Sequence, residues 1–426
     1  MSVIGLIGLL LFVLAYTLIA LEEKIHLPKS YPALFAGTAI FVAVGIEHAI
    51  SGTIPDRFHA SIEHLILEIA NIFFFLYVAM TFIEVLVERN VFGALRHRLI
   101  SRGYSYRRLF WLTGLLAFFI STVADNLTAA LVLATILVTI ERHNHAFLNA
   151  GAINIVVAAN AGGAWSPFGD ITTLMVWSAG KGDFFDFFYL FPAAFLGWLI
   201  TALLLVRVVP VGIPQAAQAD QEGGVMKPGG KMVVILGFLT IALSVILHHF
   251  FHIPAIWGMM LGLSLLGFFA HQHKRRNNDD IRIFEGMSRI ENDTLLFFFG
   301  IMAAVGGLGY LGHLAFISEA YYTLDPTFVN ILVGLVSAVI DNVPVMYAVL
   351  KANPALDHAQ WMLVTLTVGI GGSLISFGSA AGVGVMGKLS GIYTFSSHMR
   401  HAWAVLAGFV VSLAVWYLQF ELMNFY

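Results

Sequence analysis

The chain has 426 residues, no cysteine and a formal net charge of -3; 59% of it is hydrophobic and only 11% charged, against about 25% charged in soluble domains. That composition excludes a soluble globular fold, and the lack of cysteine excludes disulfides, thiolate metal sites and cysteine nucleophiles. The net charge says nothing about partners, because the charged residues are sorted by loop.

Uncharged runs of sixteen to twenty residues recur at 3–21, 31–46, 109–124, 187–206, 232–247, 253–270, 294–312 and 402–420. They predict an all-α polytopic membrane protein. The first run has no positive flank and no Ala-x-Ala-like site, so it reads as a retained span rather than a signal peptide. With 31–49 it forms an N-terminal unit of two spans, residues 1–60, whose loop carries Lys24 and Lys29.

Residues 61–209 form a first repeat. Its opening span, 64–87, carries Glu68, Asn71 and Glu84, and a basic loop follows. The stretch 109–140 is apolar except for Asp125. As one helix it would run about 48 Å, against a hydrocarbon core of about 30 Å. A re-entrant hairpin of two half-helices, breaking at Asp125-Asn126, fits better. Residues 147–180 also overrun one span, and Gly162-Gly163 and Pro167-Phe168-Gly169 interrupt them, which predicts a broken helix. Residues 187–209 cross again.

The polar stretch 210–230, with three prolines and five glycines, reads as a cytoplasmic linker. Residues 231–292 supply two connecting spans and a basic loop. Residues 293–426 repeat the first unit with a span at 294–312, a hairpin (326–350) broken at Asp341-Asn342, a broken helix (359–388) and a last span. Asp125 and Asp341 lie 216 residues apart, and Gly162-Gly163 and Gly371-Gly372 lie 209 apart. The chain is therefore an internal duplication.

Ten crossings, two re-entrant hairpins and both termini outside would put nineteen of the 22 Lys and Arg inside, leaving Arg57, Lys181 and Lys351 outside. That bias follows the positive-inside rule. The loop before the first hairpin is basic, whereas 313–325 has no Lys or Arg, so the hairpins are expected to enter from opposite faces. Inverted repeats whose broken helices meet near the midplane are transporter architecture.

An acid at bilayer depth costs about 2.5–3.5 kcal/mol and marks an ion or proton path by default. Asp125 and Asp341 are expected to bind cation and proton in competition, beyond capping their half-helices. Neutral oxygens from Ser121, Asn126, Thr128, Ser337 and Asn342 suit a hard monovalent cation. Asp170, with Thr172 and Thr173 one turn on, is a third candidate. Asn160, Ser373, Ser376 and Ser379 could complete the shell. Glu68, Glu291 and Asp293 are candidates for cation entry or pH sensing, against a plain interfacial role. Gly307-Leu308-Gly309-Tyr310-Leu311-Gly312 matches a dinucleotide fingerprint by letter, but it lies in an apolar span with no preceding strand and reads as close helix packing. The basic loops are topology signals, so no nucleic-acid partner is expected.

The segments 121–128, 160–173 (Asn160-Ala161-Gly162-Gly163-Ala164-Trp165-Ser166-Pro167-Phe168-Gly169-Asp170-Ile171-Thr172-Thr173) and 337–344 resemble those of NhaD-type sodium/proton antiporters. That family belongs to the ion transporter superfamily, with arsenite pumps and sodium-coupled dicarboxylate carriers. The resemblance covers nearly the whole chain. It implies exchange of Na⁺, and often Li⁺, for H⁺ across a bacterial-type inner membrane. It also implies a homodimer with a scaffold and a moving transport part, and no cofactor beyond the transported ions. By position it implies transport roles for Asp125, Asn126, Asn160, Asp170, Thr172, Thr173, Asp341 and Asn342, and more loosely for Ser121, Ser337, Ser376 and Ser379. The expected function is thus alternating-access Na⁺/H⁺ exchange. An anion carrier of the same fold is one alternative, and an intramembrane aspartyl protease sharing a proton between two acids a remote one.

Overall fold

A computed structural model of the chain describes residues 3–52, 55–214 and 224–423. Part of the expected linker 210–230 therefore lies outside the described residues. Within them the molecule is entirely helical. The first elements are α1 (Val3–Ala20), a single turn α2 (Glu22–Ile25), α3 (Ser30–Ser51) and α4 (Asp56–Glu88). Then come α5 (Val91–Ile100), the hairpin α6 (Tyr106–Ile120) and α7 (Asn126–Ile140), the broken helix α8 (His145–Gly163) and α9 (Ile171–Ser178), and α10 (Phe191–Leu205). Between the halves run α11 (Gly230–Phe251), α12 (Ala255–Asn277) and the short α13 (Ile283–Arg289). The second half has α14 (Asn292–Tyr310), α15 (Ala315–Thr323), the hairpin α16 (Pro326–Ser337) and α17 (Asn342–Ala352), the broken helix α18 (His358–Gly371) and α19 (Ala380–Lys388), α20 (Phe395–Met399) and α21 (Ala402–Tyr417).

Eight helical stretches among the described residues are long and apolar enough to cross a membrane. Two further crossings expected from the sequence are α1 and the pair α18–α19, whose halves are each short. α5, α13 and α15 fall where loops were expected. Each is short and polar on one side, so a search for long uncharged runs passes over them.

The broken helices form the core. α18 is buried at every position from Ala359 to Gly371, and α8 from Phe147 to Gly163 except Asn149. Each is flanked by its own hairpin, α6 and α7 on α8, α16 and α17 on α18. The halves also exchange partners. α7 packs on α19, and α17 packs on α9. At the periphery α3 lies along α14, and α11 pairs with α12. Large apolar side chains such as Phe35, Phe238 and Phe268 point outward there, as expected of surfaces facing lipid.

Two glycines set the spacing of hairpin against broken helix. A Cβ on Gly162 would lie 2.0 Å from the Phe118 carbonyl oxygen, and one on Gly371 would lie 2.2 Å from that of Gly334. These are equivalent positions of the two halves. In the span expected to use small residues for packing, a Cβ on Gly307 would come within 2.6 Å of Ile40.

α4, about 50 Å long by its 33 residues, serves as a ruler for the hairpins. Its C-terminal end meets α5, which in turn touches α7 of the first hairpin; at that hairpin's foot Tyr106 donates to Glu141 at 2.6 Å and the Tyr106 N–H to Gly212. Its N-terminal half meets the foot of the second, where Glu68 takes Lys351 at 2.5 Å and Tyr347 at 2.8 Å. Arg57 and Lys351 line one cavity there, and Lys181 donates to Asn353 at 2.6 Å. At the other end the buried Arg89 binds Glu88, Asp279 and the carbonyls of Pro228 and Asp280. It ties α4 to the segments before α11 and after α12.

Gly162→Ala and Gly371→Ala should each destabilise the protein by about 1–3 kcal/mol or more, because the added methyl meets backbone rather than a movable side chain. Gly267→Ala, whose Cβ meets nothing within 4 Å, should be neutral. Thermal unfolding of the purified protein in detergent distinguishes them.

Candidate functional site

Four half-helices begin in the middle of the bundle, and each starts on a side chain that accepts a backbone N–H of its own first turn. Asp125 accepts from Thr128 at 3.0 Å, Asp170 from Thr172 at 3.0 Å, Asp341 from Val343 at 3.1 Å and Ser379 from Gly382 at 3.3 Å. Asp and Ser are good N-caps, and each helix start carries about half a positive charge. Three carboxylates thus sit where four partial positive charges converge.

The carboxylate at the centre is Asp170. Its Oδ2 accepts the side-chain amide of Asn126 at 2.7 Å and that of Asn342 at 2.9 Å. Both hairpin asparagines converge on one oxygen. Asn126 also donates to Asn160 Oδ1 at 3.0 Å, and Asn160 Nδ2 donates to Ser373 and Ser379, both at 2.8 Å. All six residues in this chain of bonds, Asp170 included, come from the breaks or their flanks, and all are buried. Thr172 Oγ1 lies against the Asp170 carboxylate, and Ser376 Oγ, in the break between α18 and α19, is buried without a hydrogen-bond partner. A buried orphan costs about 1–3 kcal/mol and calls for an explanation; a cation among these oxygens would supply one.

Asp125 and Asp341 flank this hub without bonding into it. Asp125 takes the Thr128 hydroxyl at 2.7 Å, and the backbone N–H of Asp341 donates to the Tyr16 hydroxyl at 2.9 Å. Both are partly accessible, whereas Asp170 is buried. Both lie within electrostatic reach of Asp170.

Ser121 and Ser337 have another task. Ser121 donates to the Ala159 carbonyl at 2.7 Å and Ser337 to that of Val368 at 2.9 Å. They latch each hairpin to its broken helix at equivalent positions. Thr173 donates to the Ser166 and Asp170 carbonyls at 2.8 and 2.7 Å, which closes the loop across the first break.

The three entry candidates do not share one place. Glu68 belongs to the Tyr347–Lys351 cluster, with His64 at 3.0 Å. Glu291 accepts from Thr294 at 3.2 Å and Asp293 accepts from Ser30. Glu291 is in electrostatic reach of Asp125. Lys29 lies 4.7 Å from the centre of the Phe297 ring, its charge felt by both Glu291 and Asp341. Lys29 and Tyr16 reach the site from the N-terminal unit. Tyr16 carries no signal in a uniformly apolar run, and Lys29 enters the sequence reading only as a topology charge.

The family model for citrate transporters, CitMHS, matches residues 3–369. The chain is 44% identical to the Na(+)/H(+) antiporter NhaD of Alkalimonas amylolytica, over 97% of this chain and 90% of that one. It is 43% identical to the NhaD antiporter of Vibrio cholerae, over 97% and 91%. Sodium/proton antiporter 1 of Arabidopsis thaliana is 29% identical, over 97% and 73%. The chain belongs to the CitMHS family of membrane transporters, alongside the NhaD antiporters.

Ser121→Ala and Ser337→Ala each remove the second donor of a buried helix carbonyl, so each should lower the thermal midpoint, by about 0.5–1.5 kcal/mol in stability. Ser376→Ala removes an orphan and should leave the midpoint unchanged or raise it. Unfolding of the three variants side by side in detergent checks the contrast.

Proposed function

We propose, from this membership and from the geometry around Asp170, that the protein exchanges Na⁺, and also Li⁺, for H⁺ by alternating access. The observation that carries the reading is the shared carboxylate. One asparagine from each hairpin donates to Asp170 Oδ2, and the second break holds a buried hydroxyl, Ser376 Oγ, that lacks a partner.

Asn126 and Asn342 are two-faced groups. Turned one way, each amide gives its N–H to Asp170; turned the other, each gives a carbonyl oxygen to a cation. A cation entering between them would thus exchange two donors for two ligands and keep Asp170 satisfied. Thr172 and Ser376 hydroxyls would complete its oxygen shell. Asp125 and Asp341 supply further negative charge and alternate between protonated and ionised forms as the cation passes. Proton and cation compete for the same oxygens, and that competition is what couples them.

The anion-carrier alternative draws on the name of the family model. Half-helix N-termini attract anions, but three of the four here carry the chain's own carboxylate. Among the described residues no Lys or Arg side chain bonds into the Asp170 network. With the anion's place taken from within, the net local charge favours a cation.

The units 61–209 and 293–426 serve as inverted repeats, each with one hairpin re-entering the bilayer. The basic end of the bundle faces the cytoplasm and both termini lie outside, in a bacterial inner membrane. A homodimer would provide the fixed scaffold against which the hairpins and broken helices move. Glu291 and Asp293, near Asp125, serve as the inner mouth.

In everted vesicles, Asp125→Asn, Asp170→Asn and Asp341→Asn should each abolish Na⁺-induced proton release while the protein still accumulates. Full activity in the Asp125 and Asp341 variants would overturn the scheme. In proteoliposomes, competition of one proton with one cation makes the apparent KM for Na⁺ rise on acidification, with a limiting slope of about tenfold per pH unit once the pH is below the pKa of the shared site and no slope well above it, by mass action. Thr172→Val and Ser376→Ala should raise that KM at constant pH; an unchanged KM in both removes them from the shell.

A further inference from the structure

A second cavity, of about 460 Å³, has none of the residues of the Asp170 network in its lining. Phe82 and Leu86 of α4 and Phe238 of α11 form its walls on one side. On another side are Val123, in the break of the first hairpin, and Phe168, in the break of the first broken helix. Its size and apolar lining are those of a small-molecule site. Phe238 is 57% and Val123 37% exposed, so its mouth opens on a surface that faces lipid. The charged side chain on its wall is Arg98, exposed on α5.

α5 lies in a stretch, 89–108, that holds six arginines. Basic clusters of this size beside a membrane span, and basic pockets between spans, recognise anionic headgroups. An apolar slot with a guanidinium at its rim is complementary to one molecule class with both features. We propose that the cavity binds one acyl chain of an anionic phospholipid, with the phosphate at Arg98, and that this chain props the hairpin tip.

The consequence follows from which walls it touches. Val123 lies two residues before Asp125, and Phe168 two before Asp170. A chain seated between them and α4 fills the space into which the two breaks would otherwise settle. Lipid occupancy would then set how readily the first hairpin moves. This last step rests on the exchange reading above, whereas binding itself does not.

The test uses the full-length protein in nanodiscs with phosphatidylglycerol or phosphatidylcholine carrying the same photoreactive acyl chain. Phosphatidylglycerol should label residues of this cavity, among them Phe82 and Phe238, about fivefold more than phosphatidylcholine does, the weight of one basic contact. Arg98→Gln should remove that preference, and Ala79→Phe, which fills the wall beside Phe82, should suppress labelling by both lipids. Labels elsewhere, equal labelling by the two lipids, or a cavity face covered instead by a second copy, seen as cross-links between two Phe238→Cys chains, would overturn the site. Exchange rates that match in the two lipids while the label still lands here would overturn the propping role alone.

Discussion

One oxygen atom, Asp170 Oδ2, holds two asparagines that belong to different halves of the chain. Much of the interior is arranged to make that possible. The broken helix α8–α9 must carry Asp170 to the centre, so α8 is buried along almost its whole length and the chain breaks between Gly163 and the acid that caps α9. The two hairpins come from different halves of the chain and must reach the same point, so each packs against its broken helix where glycine removes the side chain. An ionised group at this depth is stable only while its donors stay in place. Displacing either hairpin changes the environment of the same carboxylate, which links movement to charge.

The electrostatic frame explains how one fold suits opposite cargoes. Converging helix starts present partial positive charge to whatever lies between them. Left bare, they favour an anion. With Asp125, Asp170 and Asp341 as their caps, the frame is overcompensated and favours a cation. Under the proposed exchange the difference between carrying an anion and carrying Na⁺ lies in who supplies the negative charge. Ser379, the fourth cap, is neutral and is held by Asn160, so the hub is asymmetric although the backbone repeats.

The two kinds of serine show why residue type alone misleads at a site. Ser121 and Ser337 recur at the same offset before an Asp-Asn pair, as a ligand would. They bond instead to carbonyls of the adjacent helix. Their repetition reflects a repeated packing contact. Ser376 has no such contact, and burial without a partner distinguishes it.

The spans, both hairpin breaks and both broken helices were legible in the sequence, because an acid, a proline or a glycine pair inside an apolar run is costly and therefore conspicuous. The membership of Asp170, Asn126, Asn160 and Asn342 in a candidate site was legible for the same reason. The short helices α5 and α13 were not, since their charges hide them among loops. Nor was the centre of the site. Asp125 and Asp341 stand out along the chain, yet Asp170 receives both halves, and the contributions of Tyr16, Lys29 and Arg89 depend on contacts with residues far away along the chain. Local cost is written in the order of residues. Which polar groups finally meet is decided only when the two halves interlock, because hydrogen bonds and charges act through space rather than along the chain.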